Sequence, residues 1–157
     1  MDYFQISKYE PGLEHEIHLL IKKVYDEFVS GDYSEEGNRF FYEWIDPEKI
    51  AERQKNQNTI LLAVIDNRIV GMIELRDNRN ISLLFVDKNH QGKGIAKALF
   101  KESLKKCVPA GSLPDKFYVH ASPYSIPVYK KLGFTETDVM QEQFGIKYLP
   151  MEMILKK

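Results

Sequence analysis

An apolar strand pattern that runs into a glycine-containing loop and then into an amphipathic helix most constrains the fold of this chain. Residues 81–86 are almost all apolar, which predicts a strand covered on both faces. A polar loop follows, and over residues 92–107 the apolar positions recur at the spacing of a helix. A helix that begins so soon after a buried strand indicates a mixed α/β domain.

The loop between this strand and helix has the chemistry of a phosphate site. The first N–H groups of a helix have no acceptor within the helix, and the helix dipole adds about half a positive charge there. Gly92 and Gly94 lack side chains where a ligand would have to approach the backbone closely. We therefore predict that the loop and the first helical turn bind a pyrophosphate group.

The length of the chain predicts a single domain over residues 1–157, because this length is usual for one domain. Helical spacing and capping residues predict further helices, and short apolar runs predict further strands. The further predicted helices are 13–28, 35–44, 47–55 and 125–132. The further predicted strands are 3–9, 59–65, 69–75, 117–121, 134–139 and 146–155.

Composition argues against several classes of function. The chain has 22 Lys and Arg against 23 Asp and Glu, so it lacks the overall positive charge of a nucleic-acid-binding protein. Cys107 is the only cysteine, which excludes an internal disulfide, and we expect it to pack rather than act as a nucleophile. Residues 1–10 lack the apolar core of a signal peptide, and the run 60–65 is too short to span a bilayer. We expect a cytoplasmic protein without membrane, nucleic-acid or metal partners.

Two motifs narrow the choice of phosphate ligand. The loop lacks the Lys-Ser/Thr pair of a P-loop, and Lys97 stands where a dinucleotide fingerprint needs a small residue. Residues 91–96, Gln-Gly-Lys-Gly-Ile-Ala, instead resemble the Gln/Arg-x-x-Gly-x-Gly/Ala pattern of the GNAT superfamily of N-acetyltransferases. Residues 122–134 are similar to the last conserved segment of that superfamily, in which a short helix carries a Tyr and ends in a Lys-Leu-Gly-Phe-like cap. The resemblance extends from about residue 59 to the C-terminus.

The resemblance implies both a fold and a reaction. Members of the superfamily have an α/β (α+β) fold with a mixed, mostly antiparallel, splayed central sheet of six to seven strands and about four flanking helices. The co-substrate implied is acetyl-CoA, whose acetyl group passes directly to a primary amine of a small molecule or a peptide. We expect the protein to be a monomer or a homodimer.

The resemblance also implies which residues hold acetyl-CoA. The strand at 81–86 would bind the pantetheine arm, with a backbone amide there polarising the acetyl carbonyl, and the amides of 91–96 would bind the pyrophosphate. Residues 120–122, His-Ala-Ser, replace an Asn-containing triplet that relatives often carry, so contacts to CoA are expected to differ there. The residues expected to bind acetyl-CoA are Leu84, Phe85, Val86, Gln91, Gly92, Lys93, Gly94, Ile95, Ala96, Ser122, Tyr124, Pro127, Tyr129 and Lys130.

Tyr129 is the candidate general acid. By resemblance its phenol points at the CoA sulfur, and a phenol with a pKa of about 10 is protonated at neutral pH. A departing thiolate benefits from such a positioned acid. The alternative is an aromatic side chain that packs the last helix.

Glu74 is the candidate general base. It lies on the predicted strand 69–75 and faces opposite to its apolar neighbours, so its carboxylate could accept the amine proton within the splayed cleft. The alternative is a solvated carboxylate or a structural partner of Arg76 or Arg79. His120, at the end of another predicted strand, is a second candidate for the base.

Other polar and aromatic residues leave alternatives open. The aromatic cluster at 40–44 can pack the core or line the acceptor pocket. His15 and His18 lie at helical spacing but lack a third ligand, so we expect surface residues. His90, beside the loop, can bind CoA or face solvent. Two other functions stay open: a CoA-binding regulatory module without catalysis, and a nucleotide-binding protein that uses the same loop.

Overall fold

The computed structural model describes residues 3–56, 58–77, 79–107 and 116–155, and the side chain of Cys107, with its predicted packing role, lies outside the described residues. The helices are α1 (Glu14–Phe28), α2 (Glu35–Trp44), α3 (Pro47–Lys55), α4 (Ile95–Cys107) and α5 (Ile126–Leu132). The strands are β1 (Gln5–Lys8), β2 (Thr59–Ile65), β3 (Arg68–Arg76), β4 (Asn80–Val86), β5 (Lys116–Ala121), β6 (Thr135–Glu136), β7 (Gln141–Gln143) and β8 (Ile146–Ile154). Short 3-10 turns occupy Ser30–Asp32, Lys88–His90 and Pro123–Ser125.

The strands form an open, mostly antiparallel sheet. The order is β1-β2-β3-β4-β5-β8-β6, and β7 pairs with β8 as a hairpin. The pair β4 and β5 is parallel, whereas the other paired strands are antiparallel. The prediction of a mixed, mostly antiparallel α/β sheet is confirmed.

The predicted elements all occur, with three differences. Helix α4 begins at Ile95 rather than at residue 92, because the two glycines before it adopt positive φ angles and form a turn. The predicted strand 134–139 shrinks to the two residues of β6. Strand β7 was not predicted, because Gln-Glu-Gln carries no apolar residue, and it raises the strand count in the described chain to eight.

Each face of the sheet has its own apolar core. Helices α4 and α5 cover one face, where Ile73 and Phe117 are fully buried. Helices α1 and α3 cover the opposite face, where Leu62 and Met72 are fully buried. The buried residues of α1 lie along one face of the helix, and they are Ile17, Leu20, Ile21, Val24 and Tyr25.

The sheet opens between β4 and β5, and this opening positions the site. The two strands pair only at Asn80–Tyr118 and Ile81–Val119. At the same level the β3–β4 register shifts, since Glu74 opposes Leu83 while Leu75 opposes Ile81. Ser82 is therefore an extra residue in β4, a β-bulge that bends the strand. Within the described residues, β4 has no partner in β5 from the bulge to Val86. This gap between the strands is the splay expected from the resemblance.

Candidate active site

A cavity of about 460 Å³ fills the opening between β4 and β5. One wall is β4 from its bulge onward, and the loop before α4 forms a second wall. The segment from the end of β5 into α5 forms a third wall, and α1 and α2 close the fourth. A single cleft thus joins the predicted phosphate loop to residues from both faces of the sheet.

The loop before α4 has the geometry expected of a phosphate cradle. Gly92 and Gly94 have φ angles of 75° and 86°, a region that disfavours other residues. A Cβ atom at either position would meet nothing within 4 Å, so the space beside this backbone is open. Both glycines line the cavity, as do the first residues of α4. The residues present therefore fit an anionic group held by backbone N–H donors.

A side-chain bridge crosses the cleft beside this loop. Gln91 Nε2 donates a 3.0 Å hydrogen bond to the Val86 carbonyl, and the Tyr124 hydroxyl donates a 2.9 Å bond to Gln91 Oε1. The ring of Tyr124 stacks on Phe28 from α1, with centroids 4.6 Å apart. His90 also lines the cavity, with its Nδ1 3.1 Å from Asp87 Oδ2, so it is held at the loop rather than fully solvated.

Most of the residues predicted to bind acetyl-CoA line the cavity. Those that do are Leu84, Phe85, Val86, Gln91, Gly92, Gly94, Ile95, Ala96, Ser122, Tyr124 and Tyr129. Those that do not are Lys93, Pro127 and Lys130. The cavity reaches three residues of α5 that were not predicted, namely Val128, Lys131 and Leu132.

The three predicted residues outside the cavity lining have side chains that are directed elsewhere. The Lys93 ammonium lies over the ring of Tyr3, 5.4 Å from its centroid, and the residue does not line the cavity. Pro127 and Lys130 are one helical turn apart on the exposed face of α5, and Lys130 pairs with Glu136 at 3.2 Å. Contacts of these three residues with CoA, including the predicted contact of the Lys93 backbone amide, stay predictions that the cavity lining does not support.

Tyr129 lies at the base of the cavity and is buried, with 4% of its surface exposed. Its ring packs edge-on against Phe134, whose N–H donates a 3.0 Å bond to the Tyr129 carbonyl at the end of α5. Among the described residues the hydroxyl has no hydrogen-bond partner in the protein. Burial, and secondarily the phenol of Tyr33, raise the pKa of Tyr129, so it stays protonated at neutral pH. Tyr129 packs its helix, as the structural alternative expects, and it also lines the cleft, while its role as the acid stays a prediction.

Glu74 lies outside the cavity, contrary to its predicted placement. Its carboxylate is fully buried beneath α3 and accepts hydrogen bonds from Arg53 Nε at 2.9 Å and Nη2 at 3.1 Å. The amides of Gln54 and Asn58 donate two more, at 3.2 and 2.8 Å. With its oxygens engaged in this way, Glu74 fits the structural alternative better than the role of base. Its partner is Arg53, and neither of the arginines predicted from the sequence.

His120, the second candidate for the base, does line the cavity. It sits near the end of β5, and its ring stacks on Tyr148 of β8 with centroids 4.3 Å apart. Burial, and secondarily the positive charge of Arg76, lower the pKa of the His120 imidazole. The ring is therefore neutral at neutral pH and can accept a proton.

Comparison with known proteins decides the family. A family model described as an acetyltransferase (GNAT) domain matches residues 29–155. The chain belongs to the GNAT acetyltransferase family. The predicted superfamily and the predicted acyltransferase class are thus confirmed.

Known GNAT proteins share the fold at low sequence identity. A GCN5-related N-acetyltransferase from Rhodopseudomonas palustris is 20% identical with a TM-score of 0.83, covering 99% of this chain and 98% of that one. The PaiA N-acetyltransferase from Thermoplasma acidophilum, solved with coenzyme A, is 22% identical with a TM-score of 0.79, covering 99% and 100%. An uncharacterized N-acetyltransferase of Methanocaldococcus jannaschii is 25% identical over 107 residues, 66% of this chain. This chain spans 47% of that relative's length.

The side of the cleft formed by α1 and α2 is lined by aromatic residues that the sequence identified only in part. Phe41 of α2 lines the cavity and stacks on Tyr25 of α1, with centroids 3.8 Å apart and planes 2° apart. Tyr33, after the turn that follows α1, lines it as well. In the sequence, the hydroxyl groups of Tyr25 and Tyr33 are the signal that could have distinguished these residues from purely apolar core residues.

The predicted cluster at 40–44 is divided between roles. Only Phe41 lines the cavity, whereas Phe40 is 51% exposed and stacks on Phe144. The Tyr42 hydroxyl bonds to Asp26, and Trp44 covers the guanidinium of Arg53, 4.0 Å from its ring centroid. Helical periodicity explains this division, because neighbouring residues on a helix point in different directions.

Neither histidine of α1 belongs to a metal-ligating group within the residues that the structure describes. His15 is exposed, and His18 Nδ1 bonds to the Ile45 carbonyl at 2.8 Å, which ties α1 to the end of α2. No group of three metal-ligating side chains occurs in the described part of the chain. The helices within the described ranges are all too short or too polar to span a membrane.

Proposed function

We propose that this protein is an N-acetyltransferase that moves the acetyl group of acetyl-CoA directly to a primary amine. The observation that carries the proposal is the single cleft at the splay of β4 and β5, which joins the glycine loop to Tyr129 and His120. A cleft of this kind can hold a phosphate group at one end and reacting groups at the other. Family membership supplies the reaction class, and the cleft geometry supports the choice of residues.

Acetyl-CoA fits the cleft in one orientation. The backbone N–H groups around Gly92 and Gly94 would hold the diphosphate, and the unpaired edge of β4 would hold the pantetheine arm. Val86 offers a carbonyl on that edge, which accepts a bond from the Gln91 side chain. A pantetheine N–H would donate to the Val86 carbonyl in place of Gln91, so the Gln91 side chain would have to move away. The thioester would then lie near Tyr129.

The chemistry requires two proton movements. The amine lone pair attacks the thioester carbonyl carbon, and the carbon–sulfur bond breaks as the amide bond forms. The proton of the Tyr129 phenol passes to the sulfur as the carbon–sulfur bond breaks, so that CoA leaves as the thiol, and the phenol regains a proton from solvent. A raised pKa keeps that phenol protonated but makes it a weak acid, so its proton transfer must accompany bond cleavage. We assign the other proton, lost by the amine, to His120 directly or through a water molecule.

Ligand-dependent melting tests the proposal before any acceptor is known. Acetyl-CoA at about 100 times its Kd should stabilise the protein by about 2.7 kcal/mol, whereas ATP and NAD at the same concentration should not. Release of free thiol in the presence of a panel of amines then tests catalysis. Stabilisation without thiol release from any amine would favour the non-catalytic CoA-binding module. Stabilisation by ATP or NAD alone would overturn the proposal.

A further inference from the structure

The acceptor end of the cleft is walled by aromatic rings. Tyr25, Tyr33, Phe41 and Phe85 all line the cavity. Tyr25 meets Phe41 in a stack, and it meets Tyr33 edge-on with centroids 5.8 Å apart. Phe41 in turn meets Phe85 edge-on at 6.1 Å. These contacts join α1, α2 and β4 into one continuous apolar wall, named here the aromatic wall.

The polar groups of the aromatic wall are uncharged tyrosine hydroxyls, and that of Tyr25 is already held in a hydrogen bond. The Tyr25 hydroxyl donates a 2.6 Å bond to Asn38 Oδ1, so it is turned toward α2. Burial, and secondarily Asp32, raise the pKa of Tyr33 to about 12, which keeps its phenol neutral. The wall therefore carries no negative charge at neutral pH.

The cavity also lacks carboxylates among the described residues that line it. Its ionisable lining groups are Lys97, Lys131, His90 and His120, together with tyrosines. The nearest acidic residue along α1, Asp26, is engaged by Lys22 at 2.6 Å and by Tyr42. An acceptor with several ammonium groups would lose water on entry and find no carboxylate among the described lining residues, which is costly for each charge.

Resting on the acetyltransferase function proposed above, we propose that the acceptor is a monoamine carried on an aromatic or other apolar body. The body would pack on the aromatic wall, and the single amino group would face the thioester. The faces of aromatic rings can attract a single ammonium group even where no carboxylate is present. A site without negative charge also favours the neutral, nucleophilic form of the amine over its ammonium form.

Three amines at saturating acetyl-CoA distinguish the acceptor classes. The probes are 2-phenylethylamine, ethylamine, which lacks the body, and spermidine, which carries several charges. We expect kcat/KM for 2-phenylethylamine to exceed that for ethylamine by at least about tenfold, because a phenyl group is buried, and to exceed that for spermidine as well. A higher kcat/KM for spermidine would overturn the inference about the acceptor and leave acetyl transfer standing. Acetylation of none of the probes would also overturn the inference about the acceptor, and thiol release with the wider panel of amines would then decide whether acetyl transfer itself stands.

Adjacent phenylalanines on α2 provide a matched pair of variants. Phe41→Ala should lower kcat/KM for 2-phenylethylamine about tenfold or more and change that for ethylamine by less than about twofold. Phe40→Ala, which alters an exposed ring outside the cavity, should change neither. If Phe41→Ala unfolds, Phe41→Leu keeps the apolar volume and should show a smaller loss in the same direction. Equal losses for both amines, or a loss with Phe40→Ala as large as that with Phe41→Ala, would contradict the aromatic wall as the acceptor site.

Discussion

Arg53 donates two hydrogen bonds to the carboxylate of Glu74, from Nε at 2.9 Å and from Nη2 at 3.1 Å. The pair joins α3 to the middle of β3 beneath the apolar core of that face. Two amides complete the shell of the carboxylate. A buried charge in such a shell serves the fold, because removing one partner leaves the other charge buried and unpaired.

We expect Glu74→Gln to lower the free energy of unfolding by about 3–5 kcal/mol, the usual cost of breaking a buried ion pair. Urea denaturation measures this loss. The kcat/KM of the folded fraction should keep its pH profile, since Glu74 does not reach the cleft. The exposed pair of Lys130 and Glu136 provides the control, because Glu136→Gln should change stability by about 1 kcal/mol or less. Unchanged stability together with a loss of activity confined to low pH would restore Glu74 as the base.

We expect Tyr129→Phe to lower kcat by about 10²-fold or more while the Kd for acetyl-CoA stays nearly constant. The change removes a hydroxyl without a described protein partner and keeps the ring that packs on Phe134, so melting should change little. Single-turnover kinetics with saturating acceptor isolates the chemical step. Unchanged turnover would exclude Tyr129 as the acid.

The pH profile should reveal His120. Because burial and Arg76 lower its pKa, the imidazole protonates only below its ordinary value of about 6.5. Below that pKa both the base and the acceptor amine lose their reactive forms as pH falls. A plot of log kcat/KM against pH should therefore have a slope of about two below it and about one above it, until the amine itself titrates.

Arg76→Gln should move this break in the profile to higher pH, because removing a positive charge raises the pKa of His120. His120→Asn should abolish the break and lower kcat/KM above it. A break that stays in place in His120→Asn would assign it to another group.

We expect Gly94→Ala to weaken acetyl-CoA binding by at least about tenfold while the protein stays folded. A Cβ at Gly94 meets no protein atom, but its φ of 86° is unfavourable for alanine, so the cradle must distort or hold a side chain where the diphosphate binds. Gly12→Ala is the matched control, since Gly12 has a φ of 106° and equally open surroundings but lies outside the cavity. Isothermal titration with CoA compares the two. Equal Kd values in both variants would argue against the loop as the diphosphate site.

Local features of the fold were predictable from the sequence because they depend on neighbouring residues. Asp46 caps α3 by accepting a bond from the Glu48 N–H, with Pro47 at the first helical position, as such a sequence favours. The left-handed Gly133 ends α5 in the same predictable way. Apolar periodicity located the buried strands.

The site was less predictable where it depends on packing between distant elements. Alternation along β3 put Glu74 on the correct face, but it could not tell that α3 would cover it and supply Arg53. The position of the motif predicted that α5 lies against the cleft. The exposure of Pro127 depends on the rotation of the helix about its axis, which the motif does not reveal. The aromatic wall combines single residues from α1, α2, β4 and the segment between α1 and α2, which no local pattern brings together.

The bulge at Ser82 also determines how the side chains of the rest of β4 are oriented. Residues 81 and 83 already point to opposite faces, so removal of the bulge would restore a regular pleat without turning any later side chain to the wrong face. Such a deletion should extend the pairing of β4 with β5 as far as Ala121, where β5 ends. The sheet would gain backbone hydrogen bonds, and the cleft between the two strands would narrow. The bulge at Ser82 thus keeps an edge of β4 open to the cavity at the expense of a more extensively bonded sheet.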